Sequence, residues 1–203
     1  MYIVDEAEYL TKADPALSRI FINDNPVNCS FSPEIKERRI IYRYNFEITS
    51  PLLDAVIVAA SNLGDTGCYF ALAGERTGHE SVSYVYLDFS DFFSLYGNEE
   101  HKDYEKISHF FSVENFVYSP QGLWGVLFSH ESFGLIGGSP EFIETIEKLI
   151  PDINQQVYEC VRYFYDFKSR HPKLATIEWL PELLHHVYGK ERAKKILEAV
   201  ELS

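Results

Sequence analysis

The chain has 203 residues, of which 46% are hydrophobic and 15% aromatic. This content can bury a substantial core, so the composition excludes a chain that is disordered over its whole length. The 31 Asp and Glu outnumber the 18 Lys and Arg, and the formal net charge is −13. Because affinity for phosphate backbones depends mainly on Lys and Arg, we expect no nucleic-acid partner.

The acidic residues are concentrated in one part of the chain. Residues 65–147 contain 14 Asp or Glu and three Lys or Arg, a net charge of −11. Residues 1–151 carry −13, whereas residues 152–203 are neutral. A negative block of this kind favours solubility or attraction of a basic partner. The change near Pro151 predicts an acidic α+β domain over 1–151 and a helical C-terminal extension over 152–203, packed on the same domain.

The cysteines and the N-terminal segment indicate the compartment. Cys29, Cys68 and Cys160 are an odd number at wide spacings, which fits a reducing compartment better than a disulfide framework. The first ten residues have neither the basic region nor the apolar run of a signal peptide. No stretch approaches the roughly 18–20 apolar residues that span a bilayer. We therefore expect a cytoplasmic protein without a membrane partner.

Apolar periodicity and turn formers predict a series of elements that begins at Arg39. In chain order these are a strand at 39–48, a helix at 52–63, strands at 68–73 and 82–89, a short helix at 91–96, strands at 115–118, 123–128 and 133–136, and helices from Pro140, from Ile153, from Pro181 and at 190–202. The elements predict an α+β fold: a mixed, largely antiparallel sheet flanked by helices, with a helical C-terminal region.

Several predictions concern particular residues at element ends. Apolar residues surround the helix at 52–63, which predicts that it is deeply buried. Ser139 is the predicted N-cap of the helix that begins at Pro140. Gly137 and Gly138 are interpreted as a turn before that helix, and the acidic residues that follow argue against an anion site there.

Each candidate catalytic motif has a simpler structural interpretation, and we favour the structural one in each case. Asp65-Thr66-Gly67 matches the aspartic-protease tripeptide, but it follows a predicted helix end, and Asp and Gly are turn formers. Ser129, His130 and Glu131 are triad residue types, yet we expect that consecutive residues cannot converge on one point. Cys68 has no basic neighbour and is interpreted as a structural thiol. These motifs favour a protein that is not an enzyme, although they do not decide the question.

No cofactor or metal site is expected either. No two of the seven histidines have the i, i+4 spacing of a zinc-binding helix. Two basic clusters, one at 36–39 and one at 190–195, are diluted by glutamates, and we interpret both as solvated surface.

A segment that mixes tyrosines and carboxylates is the predicted binding surface. Tyrosine supplies contact area at protein interfaces, and carboxylates supply electrostatic steering. The simpler alternative is an ordinary solvated face over a sheet. The candidate partner-binding residues are Asp88, Asp91, Tyr96, Glu99, Glu100 and Asp103.

One stretch resembles a known group of proteins. It is formed by Trp124-Gly125, Ser129, Glu131, Phe133 and Gly137-Gly138, followed by Ser139-Pro140-Glu141-Phe142. The stretch, about a sixth of the chain, is similar to a strand, turn, strand and helix segment of small acidic bacterial proteins. Some of these are immunity proteins for polymorphic or contact-dependent toxins. The resemblance implies a non-enzymatic protein that neutralises a cognate basic toxin, often a nuclease, and it assigns no contact residue.

Three classes of function therefore stay open. The first is an immunity-type binding protein whose acidic surface docks on a basic protein, such as a toxin domain. The second is a small-ligand-binding protein or an enzyme whose site combines dispersed residues such as His79, Cys68 and Glu131. The third is an assembly subunit that makes its contact through Ile196, Leu197 and Val200 of the C-terminal helices. The sequence does not set the oligomeric state.

Overall fold

The computed structural model of the protein describes residues 1–28, 30–42, 51–73, 84–91 and 114–201. Its strands are β1 (Tyr2–Ile3), β2 (Glu37–Tyr42), β3 (Gly67–Leu72), β4 (Tyr84–Asp88), β5 (Asn115–Tyr118), β6 (Trp124–Phe128) and β7 (Phe133–Gly138). Its helices are α1 (Glu6–Glu8), α2 (Asp14–Ile20), α3 (Pro51–Asn62), α4 (Pro140–Leu149), α5 (Ile153–Arg170), α6 (Leu180–Tyr188) and α7 (Lys190–Glu201). A π-helical turn, Tyr9–Ala13, joins α1 to α2.

The described strands form one seven-stranded sheet in the order β1-β4-β3-β5-β6-β7-β2, and each of its ladders is antiparallel. Side chains alternate between the two faces, as a pleated strand requires. In β3, Tyr69 and Ala71 belong to the core on one face, and Cys68 and Phe70 belong to the core on the other. The α+β class, with a largely antiparallel sheet and C-terminal helices, is confirmed.

Helices cover both faces of this sheet. The packed pair α3 and α4 covers one face, and α2, α5, α6 and α7 cover the other. Ile196 and Val200 of α7 are buried in the second core, and Leu197 packs against it while partly exposed. The three residues proposed as an assembly contact are thus packed inside the chain, and the assembly hypothesis loses its support.

Most predicted helices are confirmed, because their signals are local. Ser139 caps α4, since its hydroxyl accepts a hydrogen bond from the Phe142 N–H at 3.3 Å. The deep burial predicted for 52–63 is wrong at Val58, which is 45% exposed on the outer side of α3. Leu149 near the end of α4 is 48% exposed. Of the strand predicted at 39–48, the part after Tyr42 lies outside the described residues.

The interpretation of Gly137 and Gly138 as a turn is wrong, because both residues belong to β7. A Cβ at Gly137 would lie 2.7 Å from the Phe31 ring and 2.8 Å from Ile35. A Cβ at Gly138 would lie 2.8 Å from the Phe142 ring. The glycines therefore serve close packing on both faces of a strand rather than a change in chain direction.

Glycines face each other across β6 and β7 where the N-terminal segment docks. Gly125 is opposite Gly137 in the ladder, and a Cβ at Gly125 would lie 2.6 Å from the Phe21 ring. The rings of Phe21 and Phe31 stack at 5.0 Å, and the two residues form an isolated antiparallel bridge. The missing side chains thus leave space for two aromatic rings to rest directly on the sheet.

The C-terminal helices also meet the backbone of β2. The Ile40 N–H donates to the Tyr188 hydroxyl of α6 at 2.9 Å, and the Tyr42 N–H donates to Gln156 Oε1 of α5 at 3.0 Å. These N–H groups face away from β7, so side chains of the helices satisfy them in place of another strand.

We expect Gly137→Ala to lower the free energy of unfolding by about 1–3 kcal/mol, because its methyl group would overpack a filled site. Phe31→Leu replaces the facing ring with a smaller side chain. The double variant should therefore lose less stability than the sum of the two single losses. The losses are measured by urea unfolding. Phe31→Leu combined with Ile143→Val, on the opposite face of the sheet, serves as the control pair and should be additive. Additivity of Gly137→Ala with Phe31→Leu would contradict the packing argument.

Candidate functional site

The predicted partner-binding surface is described at two of its six residues. Asp88 Oδ1 accepts hydrogen bonds from the Ser90 N–H at 2.9 Å and the Ser90 hydroxyl at 2.7 Å. The bond from the Ser90 backbone has the larger effect and the bond from its hydroxyl the smaller, and together they lower the pKa of the Asp88 carboxyl below its usual value. Asp91 Oδ2 lies 2.7 Å from the Met1 nitrogen, and the side chain remains 47% exposed. Both carboxylates therefore have local structural contacts in addition to any role at a surface.

The other four predicted surface residues are Tyr96, Glu99, Glu100 and Asp103, and they lie outside the described residues. The described part of the chain adds a second acidic region. Between residues 51 and 147 the described ranges contain nine Asp or Glu and no Lys or Arg. Asp54 on α3 and Glu141 and Glu144 on α4 are exposed on the outside of the packed helix pair. We name these three carboxylates the acidic layer.

Asp65 is buried rather than exposed in a turn. Its Oδ2 accepts hydrogen bonds from the Ser119 hydroxyl at 2.7 Å and the Trp124 indole N–H at 2.8 Å, and its Oδ1 accepts one from Gln121 Nε2 at 2.8 Å. The residue follows α3 and precedes β3, so the carboxylate fastens that connection to the turn between β5 and β6. These contacts make Asp65 a structural residue, which agrees with rejection of the protease motif.

Ser129 and His130 do converge, although the sequence interpretation excluded it. The Ser129 hydroxyl donates to Glu114 Oε1 at 3.0 Å, and His130 Nδ1 lies 2.9 Å from the same oxygen. They meet because Glu114 precedes β5, which pairs with β6 beside the hairpin. The serine proton thus points at a carboxylate rather than at the imidazole, which is not the arrangement of an activated nucleophile. Glu131 is 3.4 Å from His130 and half-exposed.

The second hypothesis proposes a site that combines dispersed residues, one of them Cys68. No such site is assembled at Cys68 among the described residues. Its thiol is buried under the α3 and α4 side of the sheet, and burial raises its pKa. Glu131 lies in the hairpin between β6 and β7, and His79 lies outside the described residues. Cys160 is likewise buried with a raised pKa. Both described thiols match the interpretation as structural residues.

The two basic clusters are not entirely solvated surface, because the fold brings members of both to one cavity. This cavity, about 570 Å³, lies between the start of β2 and the junction of α6 with α7. Its basic lining residues are Lys36, Arg38, Arg39 and Arg192. The sequence interpretation could not combine them, since more than 150 residues separate Arg39 from Arg192.

A hydrogen-bonded chain forms one side of the cavity. Arg39, which is 8% exposed, donates to Glu147 Oε1 through Nε at 2.9 Å and Nη2 at 2.6 Å. Asn154 donates to the same oxygen at 2.8 Å, and Asn154 Oδ1 accepts from Arg192 at 2.9 Å. Burial alone would raise the pKa of Glu147, but the bonds from Asn154 and Arg39 outweigh it and lower the pKa. The chain links β2, α4, α5 and α7.

His186 and Arg38 form the other side of the cavity. Arg38 donates to the carbonyls of Ile35, Ser32 and His186 at 2.7, 2.9 and 2.7 Å. The Phe31 N–H donates to His186 Nε2 at 3.1 Å, so the neutral ring carries its proton on Nδ1. Burial, and then the Arg38 charge, lower the pKa of His186 to about 4. The imidazole is therefore neutral near pH 7.

Two searches of the described residues concern other kinds of site. No group of three or more His, Cys, Asp or Glu within the described ranges is arranged to hold a metal ion. None of the helices described here is both long and apolar enough to cross a membrane.

We expect Asp65→Ala to lower the free energy of unfolding by about 2–4 kcal/mol, because it leaves buried donors on Ser119 and Trp124 without an acceptor. Asp65→Asn keeps an amide oxygen for these donors, and Gln121 can present its own oxygen to the new amide, so the loss should be about 1 kcal/mol. Urea unfolding measures both, with the exposed Asp54→Ala of α3 as control. Equal losses for Ala and Asn would contradict this assignment.

We expect stability to fall as the pH drops from 6.5 towards 4 through His186. In this window the unfolded chain takes up a proton at the ordinary pKa of 6.5, whereas the folded chain does not until about 4. His186→Gln keeps an acceptor for the Phe31 N–H without titrating. Between pH 6.5 and 4.5 the wild type should lose about 2 kcal/mol more than this variant in urea unfolding. His185→Gln, at the exposed neighbour, should follow the wild type. Equal pH slopes for wild type and His186→Gln would contradict the expectation.

Comparison with known proteins adds no relative to this description. No protein-family model, curated protein or solved structure matches the chain.

Proposed function

We propose that the protein is a non-enzymatic, cytoplasmic binding protein that docks its acidic surface on a basic protein. The observation that carries the proposal is the charge distribution. Of the nine described carboxylates between residues 51 and 147, seven are at least partly exposed, Asp65 is buried and Glu147 pairs with Arg39, and Lys148 is the one cation of α3 and α4. A surface of one sign steers a partner of the opposite sign and disfavours partners of its own.

The acidic layer has the composition of a docking surface as well as its charge. Val58 on α3 is exposed one turn from Asp54, and Leu149 on α4 is exposed next to Lys148. Apolar side chains surrounded by a polar rim are typical of protein interfaces. The end of β4 is joined to this side of the sheet, because the Phe89 N–H donates to the Thr66 carbonyl and Phe89 packs in the same core. Asp88 lies between Leu87 and Phe89, which belong to this core, so its side chain faces the other side of the sheet from the acidic layer.

In this proposal the partner is a toxin domain, and the protein neutralises it as an immunity protein. The similarity of the segment from Trp124 to Phe142 to immunity proteins supports this reading. A basic catalytic cleft, such as that of a nuclease, is the kind of surface that an acidic lid blocks without covalent chemistry.

The test is capture from a lysate of the native organism on the immobilised protein at low salt, followed by elution with a salt gradient and mass spectrometry. Asp54→Asn/Glu141→Gln/Glu144→Gln neutralises the acidic layer. Asp152→Asn/Asp166→Asn/Glu191→Gln removes the same charge from exposed positions on and beside the C-terminal helices and serves as the matched control. We expect one basic protein in stoichiometric amount from the wild type and the control, and less from the layer variant.

The purified partner then permits a rate measurement. Its association should slow steeply with salt, because charges are screened beyond about 8–10 Å at 0.1–0.15 M ionic strength. It should slow again when Glu99, Glu100 and Asp103 are reversed to lysine, if that segment contributes to docking. An inhibited enzymatic activity of the partner would identify the toxin class. Recovery of no specific protein, or equal recovery with both triple variants, would refute the proposal.

A further inference from the structure

The second feature that indicates a binding partner is a basic cavity in a chain whose net charge is strongly negative. The cavity between β2 and the α6–α7 junction is lined by four Lys or Arg and, among the described residues, by Glu37 as its one carboxylate. The whole chain carries −13. We propose that this cavity binds a small organic anion that carries phosphate.

Two of the four cations donate their hydrogen bonds to neutral groups, although the Arg192 charge also helps to lower the pKa of Glu147. Lys36 Nζ donates to the Pro33 carbonyl at 2.6 Å. Arg192 donates to Asn154 Oδ1 and lies 4.7 Å above the ring centre of Tyr188. All these partners are neutral. Lys36 and Arg192 are exposed at the cavity, so both can turn towards a bound anion without leaving a buried carboxylate unpaired.

The other two cations build the walls and fix the site. Arg39 is held by Glu147 and by Glu37, whose Oε2 lies 3.2 Å from Nη1. Arg38 is held by the carbonyls of Ile35 and Ser32, which precede β2, and by the His186 carbonyl, which ties β2 to the end of α6. Their positions are therefore set before a ligand arrives, which lowers the ordering cost of binding.

The first turn of α7 adds a local conflict that an anion would relieve. Lys190 and Arg192 lie in this turn on either side of Glu191, and cations are unfavourable there because the helix dipole is positive. Gly189 precedes the helix, lines the cavity and has no side chain that could cap the first N–H groups.

The neutral ring of His186 completes the lining. Because Nε2 accepts from the Phe31 N–H, the Nδ1 proton makes this ring a donor rather than an acceptor. A lining of guanidinium, ammonium and imidazole N–H groups matches phosphate oxygens, which only accept hydrogen bonds when fully ionised.

Size and charge narrow the ligand class. A cavity of about 570 Å³ is larger than one inorganic phosphate needs, and it is within the range of about 300–1,000 Å³ for small-molecule sites. The negative charge of the rest of the chain opposes a long polyanion, whereas a small anion mainly experiences the local basic lining. A phosphorylated metabolite of nucleotide size fits both conditions.

The test is isothermal titration calorimetry of the folded, full-length protein with pyrophosphate, ATP and citrate at low ionic strength. Lys36→Gln/Arg192→Gln removes the two available cations. Lys194→Gln/Lys195→Gln removes the same charge from α7 outside the cavity and is the control. We expect saturable binding of one pyrophosphate or ATP by wild type and control. The dissociation constant should rise about tenfold or more in the cavity variant, which corresponds to about 1.4 kcal/mol.

Several results would overturn the proposal. These are the absence of saturable binding of either phosphate compound, equal weakening in the two double variants, or citrate binding as tight as that of pyrophosphate. Urea unfolding of each variant checks that the fold is retained, and the single variant Lys36→Gln, at an exposed side chain, should show a smaller loss of the same sign. The layer variant Asp54→Asn/Glu141→Gln/Glu144→Gln should bind the anion like the wild type, so this test and that of the acidic surface can fail independently.

Discussion

Two aromatic rings rest on the backbone of neighbouring strands where glycines replace side chains, and much of the structure depends on this contact. Gly125 and Gly137 leave the space in which the rings of Phe21 and Phe31 stack on the sheet. The backbone N–H of Phe31 then binds His186, which places α6 next to the start of β2. The docking of the N-terminal segment, the orientation of one histidine and the shape of the basic cavity therefore share one packing constraint.

Charge is organised in two ways that serve different purposes. The chain from Arg39 through Glu147 and Asn154 to Arg192 pairs the charges of Arg39 and Glu147 and joins four elements. The acidic layer on α3 and α4 is only partly compensated, because its three carboxylates share these two helices with one cation, the exposed Lys148 of α4. Uncompensated charge costs stability through self-repulsion, so its concentration on one side of the sheet favours a role in recognition over one in folding.

The elements with local signals could be predicted from the sequence, and the sites could not. Ser139 and Pro140 mark the start of α4, and Pro181 and Gly189 bracket α6, because caps and breakers act over a few residues. The helical segment from Glu6 to Ile20 was missed, since its π-helical turn interrupts the 3.6-residue period of buried positions. The burial of Asp65, the contact of Ser129 with Glu114 and the basic cavity depend on residues brought together by the sheet.

The outer N–H groups of β2 bind side chains that are synthesised much later than the strand itself. Residues of β2 are synthesised early, but their ladder partner β7 follows about a hundred residues later, and Gln156 and Tyr188 later still. Until the C-terminal helices fold, the outer N–H groups of Ile40 and Tyr42 form an open edge that can pair with a strand of another molecule. The C-terminal helices therefore protect this strand edge against aggregation. In chains that lack them, the edge could pair with a strand of another molecule.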